Sequence, residues 1–194
     1  MDVLNLSMGY YHETPQDELF DPTMYEILAR MGECGVTVVC SAGNDGTARP
    51  MFPAAWTPWL DEDETIVVPS PKVVPIVSVG ALNPNGTDAL FSNAGPWVRA
   101  YAYGAAVMST VPAFQGGLEP TARTEVYQRV RESIDPDDFS GMFALWSGTS
   151  FAAPILAAKV ARRLVGKIDP AHDTRADAVS RGWAAVSAVT NIAP

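Results

Sequence analysis

The chain is poor in the residues that most often announce a function. It has two cysteines and two histidines in 194 residues. A disulfide framework in a small domain needs more pairs than Cys34 and Cys40 can supply. Cys34 falls just after a predicted helix and Cys40 inside a predicted strand, so both read as buried thiols acting as small apolar side chains. With no histidine near them they do not read as a metal site, and no cofactor or metal is expected. Basic residues are outnumbered, 13 Lys and Arg against 22 Asp and Glu, for a net charge of -9. Proteins that bind nucleic acid gather positive charge to neutralise phosphates, so no nucleic-acid partner is expected. No run of about 18 apolar residues occurs, and no membrane partner is expected. Met1-Asp2-Val3-Leu4-Asn5 has neither the basic nor the apolar region of a signal peptide.

What is present is the balance of a globular chain. Hydrophobic residues make up 47% and charged residues 18%, enough for one sizeable core in one domain. Residues 3–8 read as a strand ended by Gly9. Tyr25, Leu28 and Met31 stand at helical spacing and predict a helix over 21–31, with Gly32 and Gly35 as stop signals. Residues 36–40, Val-Thr-Val-Val-Cys, form an apolar β-branched run suited to a strand buried on both faces. Strand, helix and strand in about 40 residues make a βαβ unit with parallel pairing. Further strands are expected at 75–80, 98–101 and 106–108, and helices at 150–165 and 174–189. Residues 57–72, with the acidic run Asp61-Glu62-Asp63-Glu64, and residues 114–143 read as solvated surface loops. The second holds a short helical pattern from Thr124 to Ile134.

Two places invite chemistry. In Ser147-Gly148-Thr149-Ser150-Phe151-Ala152-Ala153-Pro154 a small-residue turn runs into an alanine-rich helix. Ser150 there can be an N-cap that satisfies an orphan N–H, with Pro154 tolerated in the first turn. It can equally be a nucleophile, placed where the positive helix end stabilises developing negative charge. Gly148 would let a substrate backbone approach, and Ala152 and Ala153 would keep the space open. A serine is not nucleophilic without a base, so further groups are needed. The other place is Ser41-Ala42-Gly43-Asn44-Asp45-Gly46, at the end of the strand predicted at 36–40. Open α/β sheets put their crevices at such strand ends. These residues can be a plain turn, or Asn44 can present its amide to an oxyanion.

Together these blocks resemble the subtilisin-like serine peptidases, over roughly residues 2–166. Asn5-Leu6-Ser7-Met8-Gly9 resembles the strand that lines one side of the S1 pocket. Val38 to Gly46 resembles the Ala-Gly-Asn block, and Gly148-Thr149-Ser150-Phe151-Ala152-Ala153-Pro154 the block around the nucleophile. Phe52-Pro53-Ala54, Val77-Ser78-Val79-Gly80-Ala81 and Phe91-Ser92-Asn93-Ala94-Gly95 match the connecting segments, in the same order. The resemblance implies an α/β fold of three layers around a mostly parallel sheet, with an N-terminal portion missing. It implies that Ser150 is the nucleophile and that Asn44 and the Ser150 N–H form the oxyanion hole. It also implies that Ser7, Met8 and Gly9 face Ser41, Ala42 and Gly43 across the S1 cleft, both edges offering hydrogen bonds to an extended peptide.

The sequence departs from that pattern in its base. In the family the Asp and His blocks precede the S1 strand, and neither is here. His12 and His172 read as loop residues. Phe151 stands where the family usually has Met. The expectation is therefore the C-terminal half of a serine endopeptidase domain, competent once an N-terminal half supplies Asp and His. The alternative is an inactive remnant that binds peptides or proteins through its cleft. An unrelated α/β hydrolase fits less well, because no Gly-x-Ser-x-Gly elbow occurs. Secretion is implied by the resemblance alone. Without the flanking half, residues 3–8 and 36–40 would be left as sheet edges, which predicts marginal stability and self-association.

Overall fold

Two strands and the helix between them set the frame. In the computed structural model, which describes residues 1–13, 20, 22–61, 64–113, 123–133, 138–169 and 171–194, strand β1 (Val3–Leu6) leads through helix α1 (Pro22–Glu33) to strand β2 (Thr37–Ser41). All five residues of β2 are buried. A 3₁₀ turn (Ala54–Trp56) and the hairpin β3 (Trp59–Asp61) to β4 (Glu64–Val67) precede strands β5 (Ile76–Leu82) and β6 (Ala100–Tyr103). Then come strands β7 (Val107–Thr110), β8 (Arg123–Val126), β9 (Arg129–Glu132) and β10 (Phe143–Trp146), and helices α2 (Thr149–Leu164) and α3 (Arg175–Ser187).

The chain forms two compact units. The larger joins Met1–Ala105 to Ser147–Pro194, and the smaller is Ala106–Trp146. In the larger unit a four-stranded sheet runs β1-β2-β5-β6, with all three pairings parallel. The two faces of each strand divide its side chains between two cores. Val39, Val77, Val79 and Ala81 pack with Ala152, Ala153 and Leu156 of α2. Val38, Cys40 and Ile76 pack with Leu28 of α1 and with Trp56 and Trp97. Helix, sheet and helix therefore make the three layers of an α/β fold. Burying Val38 and Val39 contributes about 1.5–3 kcal/mol each, against a typical net stability of about 5–15 kcal/mol. The middle of the sheet is thus where this unit is anchored.

Several expectations change. Residues 36–40 are not an edge: β2 lies between β1 and β5, and β1 holds the edge with Val3, Leu4 and Leu6 half-buried. The predicted starts at residues 98 and 106 move to Ala100 and Val107. The 57–72 stretch is not wholly a solvated loop, because Trp59 and Val67 of its hairpin enter the core beside Trp56. Glu62 and Asp63 lie outside the described residues, as does Asp21 at the predicted start of the first helix.

The helical pattern over 124–134 is instead part of the hairpin β8–β9, in the smaller unit. Thr124, Val126 and Val130 place β-branched residues at a period of two among charged neighbours, which suits a strand. Tyr127 and Gln128 make its two-residue turn with φ of 51° and 61°. Positive φ at both positions is the type I′ geometry that matches the right-handed twist of the strands, though asparagine and glycine are its usual occupants. Ile134 is outside the described residues. β7 and β10 pair antiparallel in the same unit. Among the described residues no helix is long and apolar enough to cross a membrane.

The sheet order predicts a gradient of protection. Amides of Val38 to Ser41, with those of β5, should be the slowest to exchange with deuterium and those of β1 markedly faster, because opening either inner strand breaks two pairings and both cores. Hydrogen exchange read by NMR checks this, and equal rates in β1 and β2 would contradict the order β1-β2-β5-β6.

Candidate active site

Helix α2 begins at Thr149, with Gly148 as its N-cap residue and no side-chain cap. Ser150 is the second helical residue, so it is not the N-cap. Its amide belongs to the first turn, whose N–H groups find no carbonyl four residues back. Pro154 is the sixth residue and lies inside the helix rather than in its first turn. A residue there would normally donate its N–H to the carbonyl of Ser150, and proline has none to donate. That carbonyl instead accepts the Ser7 hydroxyl at 3.0 Å. The Ser7 Oγ in turn accepts from Asn5 Nδ2 at 3.0 Å. The gap that Pro154 leaves in the helix ladder thus ties the residue carrying the candidate nucleophile to the end of β1.

The Asn44 side chain meets the same helix. Its Oδ1 accepts from the Thr149 N–H at 2.8 Å and from the Thr149 hydroxyl at 2.9 Å. A backbone N–H can only donate, so the atom facing it is the oxygen and the orientation of the amide is settled. Nδ2 is left pointing away from Thr149, and a Cβ built on Gly148 would stand 3.4 Å from it. The Thr149 hydroxyl also accepts the buried Gly43 N–H at 3.0 Å. One hydroxyl therefore holds the turn after β2 against the start of α2. These bonds fix Gly43 and Asn44 against the first residue of α2.

The two sides of the expected cleft differ. Ser7, Met8 and Gly9 are exposed, and Met8 shows 56% of its surface. Ser41, Ala42 and Gly43 are buried, with their hydrogen bonds turned inward. Ala42 N–H donates to the Val79 carbonyl, Gly43 N–H to Thr149, and the Gly43 carbonyl accepts from the Asn93 N–H. The second side does not present an open backbone edge. It offers a packed wall. Sequence reasoning named Ser150 and Asn44 but passed over Thr149, Asn93 and Tyr11, which orient them or their loop. Thr149 and Asn93 stood inside quoted blocks, so the signal was present. Tyr11, in Tyr10-Tyr11-His12, carried none.

A model of the subtilase family matches residues 1–188. The chain belongs to the subtilase family. The chain is also 31% identical over 122 residues to Mycosin-4 of Mycobacterium tuberculosis, which spans 62% of this chain and 23% of that protein. Two solved structures of the protease domain of PatA share the fold. The self-cleaved form superposes with a TM-score of 0.57 at 20% identity, covering 94% of this chain and 52% of that one. A serine-to-alanine mutant gives 0.56 at 20% identity, covering 91% and 48%. The chain spans about half the length of these structures and less than a quarter of the curated relative.

Neither histidine of this subtilase hydrogen-bonds Ser150. His12 stacks on Phe52, ring centroids 4.0 Å apart, and its carbonyl accepts from Arg49. His172 is exposed, with Nδ1 at 2.9 Å from the Asp169 carboxylate. Among the described residues the Ser150 hydroxyl makes no hydrogen bond, and no group of three potential metal ligands occurs. Both cysteines are free. Cys40 is buried, which pushes its thiol far up, whereas Cys34 is exposed, contrary to expectation.

Replacing Thr149 with valine keeps its shape and removes the hydroxyl. Gly43 N–H is then buried without an acceptor, and unfolding stability should fall by about 1–3 kcal/mol. Thr149→Ser should stay close to the parent, and denaturant midpoints of the three proteins check this. A second expectation concerns Tyr11. Its burial, and then its hydrogen bond to Asp45, raise the phenol above the usual 10.0. The neutral phenol therefore contributes stability that is intact below pH 10 and lost as pH rises through the raised pKa. Chemical denaturation from about pH 9 to about pH 12 should show wild type losing its advantage over Tyr11→Phe.

Proposed function

We propose that this subtilase is a serine endopeptidase that cleaves polypeptides through an acyl-enzyme on Ser150, with Asp and His supplied by residues outside these 194. The observation that supports it most is the amide of Asn44, turned by Thr149 so that among the described residues its N–H donors have no partner beside the head of α2.

A peptide would lie along the exposed Ser7–Met8–Gly9 edge, with Ser41, Ala42 and Gly43 as the wall opposite. The supplied histidine takes the Ser150 proton as Oγ attacks the scissile carbonyl. The oxygen of the tetrahedral intermediate becomes an anion between Asn44 Nδ2 and the Ser150 N–H. The intermediate collapses, the C–N bond breaks, and the same histidine gives its proton to the leaving amine. Water then repeats the sequence on the ester and frees Ser150. An oxyanion donor of this kind contributes about 10²–10³ in rate, a scale set on a member of this same family. Without the base the serine stays a hydroxyl, and the chain keeps only its peptide-binding surface.

Fluorophosphonate labelling followed by peptide mapping tests this. In lysate of the producing cells Ser150 should be labelled, and Ser150→Ala should not. The purified 194-residue chain should label no faster than its denatured control. Absence of label in the lysate would leave a peptide-binding module instead of an enzyme. Rapid, stoichiometric labelling of the purified chain would mean that a base lies within it.

A further inference from the structure

A buried carboxamide lies behind the loop that carries Asn44. Asn93 is fully buried, and both ends of its side chain are in use. Oδ1 accepts from the Asp45 N–H at 3.0 Å and the Thr47 N–H at 3.3 Å. Nδ2 donates to the Ala42 carbonyl at 2.8 Å and to the Tyr11 hydroxyl at 2.7 Å. These four bonds use every donor and acceptor that a carboxamide has, so its orientation is fixed too. Its own N–H donates to the Gly43 carbonyl at 3.0 Å. One residue therefore bonds Ala42, Gly43, Asp45 and Thr47, on both sides of Asn44 and never to Asn44 itself.

The fit is close. Gly43 has φ of 103°, and a Cβ there would come within 2.4 Å of Asn93 Nδ2. The glycine both turns the chain and makes room for the carboxamide. Neighbouring backbone bonds run the same way, Gly46 N–H to the Phe91 carbonyl and Ala94 N–H to the Thr47 carbonyl. Tyr11 extends the network toward the exposed edge. Its hydroxyl accepts from Asn93 and donates to Asp45 Oδ2 at 2.6 Å, and the Arg49 guanidinium lies 5.0 Å from its ring centre. Tyr11 stands two residues beyond Gly9, so one hydroxyl links the segment that would carry the peptide to the loop that would hold the oxyanion.

We propose that Asn93 is a positioning residue for the Asn44 amide, and that Tyr11 couples this setting to the Ser7–Gly9 edge. The proposal rests on the reading of Asn44 as oxyanion donor. Displacing such a donor by a fraction of an ångström should weaken the transition state more than the ground state.

Asn93→Asp keeps the shape and both acceptor bonds but loses the two donors, and Tyr11→Phe loses only the bridging hydroxyl. Two readouts apply to each. In the purified chain, NMR follows the Asn44 side-chain NH₂ resonances, which report the loop without any need for activity. In the lysate, saturation kinetics with a peptidyl fluorophosphonate separate the maximal labelling rate from half-saturation. The expected result is a shifted or broadened Asn44 NH₂ pair in both variants. The maximal rate should drop by about tenfold or more for Asn93→Asp, and less for Tyr11→Phe, with half-saturation within about twofold. Unchanged Asn44 resonances and rate in a folded variant would overturn the proposal. Should Asn93→Asp fail to fold, Tyr11→Phe carries the same test. Unlabelled wild type would sink the peptidase reading, while the Asn44 resonances would still decide this one.

Discussion

The site hangs on the hydroxyl of Thr149. It accepts from the Gly43 N–H in the turn after β2 and donates to the Asn44 side chain, joining parts of the chain more than a hundred residues apart. Closing so long a loop carries an entropy cost that a hydrogen bond, worth about 1 kcal/mol net, cannot offset alone. The packing beneath it supplies the remainder. Val39 and Val79 of the sheet meet Ala152, Ala153 and Leu156 of α2 in one core. The alanines let the helix settle close, and Thr149 then lies within reach of Gly43. The hydroxyl makes the join exact in register after apolar burial has made it possible.

No charged side chain bonds Ser150 or the Asn44 amide among the described residues. What the described residues place there are neutral dipoles: the Asn44 amide, first-turn N–H groups and the positive end of α2, and under the proposed function these are the groups of this chain that would face an anion. Such dipoles act only when they are held still. Thr149 bonds the Asn44 side chain directly and Asn93 bonds the loop on either side of it, so the candidate site has few functional groups and many supporting ones.

How legible this was in the sequence depended on the range of the interaction. Val38, Val39 and Cys40 announce a strand buried on both faces because burial leaves an apolar run, and the sheet bears this out. Ser150 and Asn44 stood out because their blocks are contiguous. Pro154 reads as a first-turn proline when Ser150 is taken as the cap, whereas the cap is Gly148, two residues earlier, and Pro154 is the sixth helical residue. The β8–β9 hairpin was mistaken for a helix because Tyr127 and Gln128 are not the residues that normally mark its turn. Asn93 and Tyr11 were invisible as partners, since 82 residues separate them and only the folded chain brings them to 2.7 Å.

The carbonyl of Gly104 accepts the Gly148 N–H at 2.7 Å, so the two ends of the excursion between them are stitched together inside the larger unit. A Cβ on Gly104 would lie 2.7 Å from the Cβ of Ala81 and 2.8 Å from the Gly148 carbonyl oxygen, so the stitch needs glycine there. Below that stitch the length of chain matters little to the head of α2. Doubling a loop adds only about 0.6 kcal/mol of closure entropy. Residues 106–146 therefore occupy a natural port of insertion, where segments can be lengthened, shortened or exchanged by descent or by engineering while the head of α2 keeps its register.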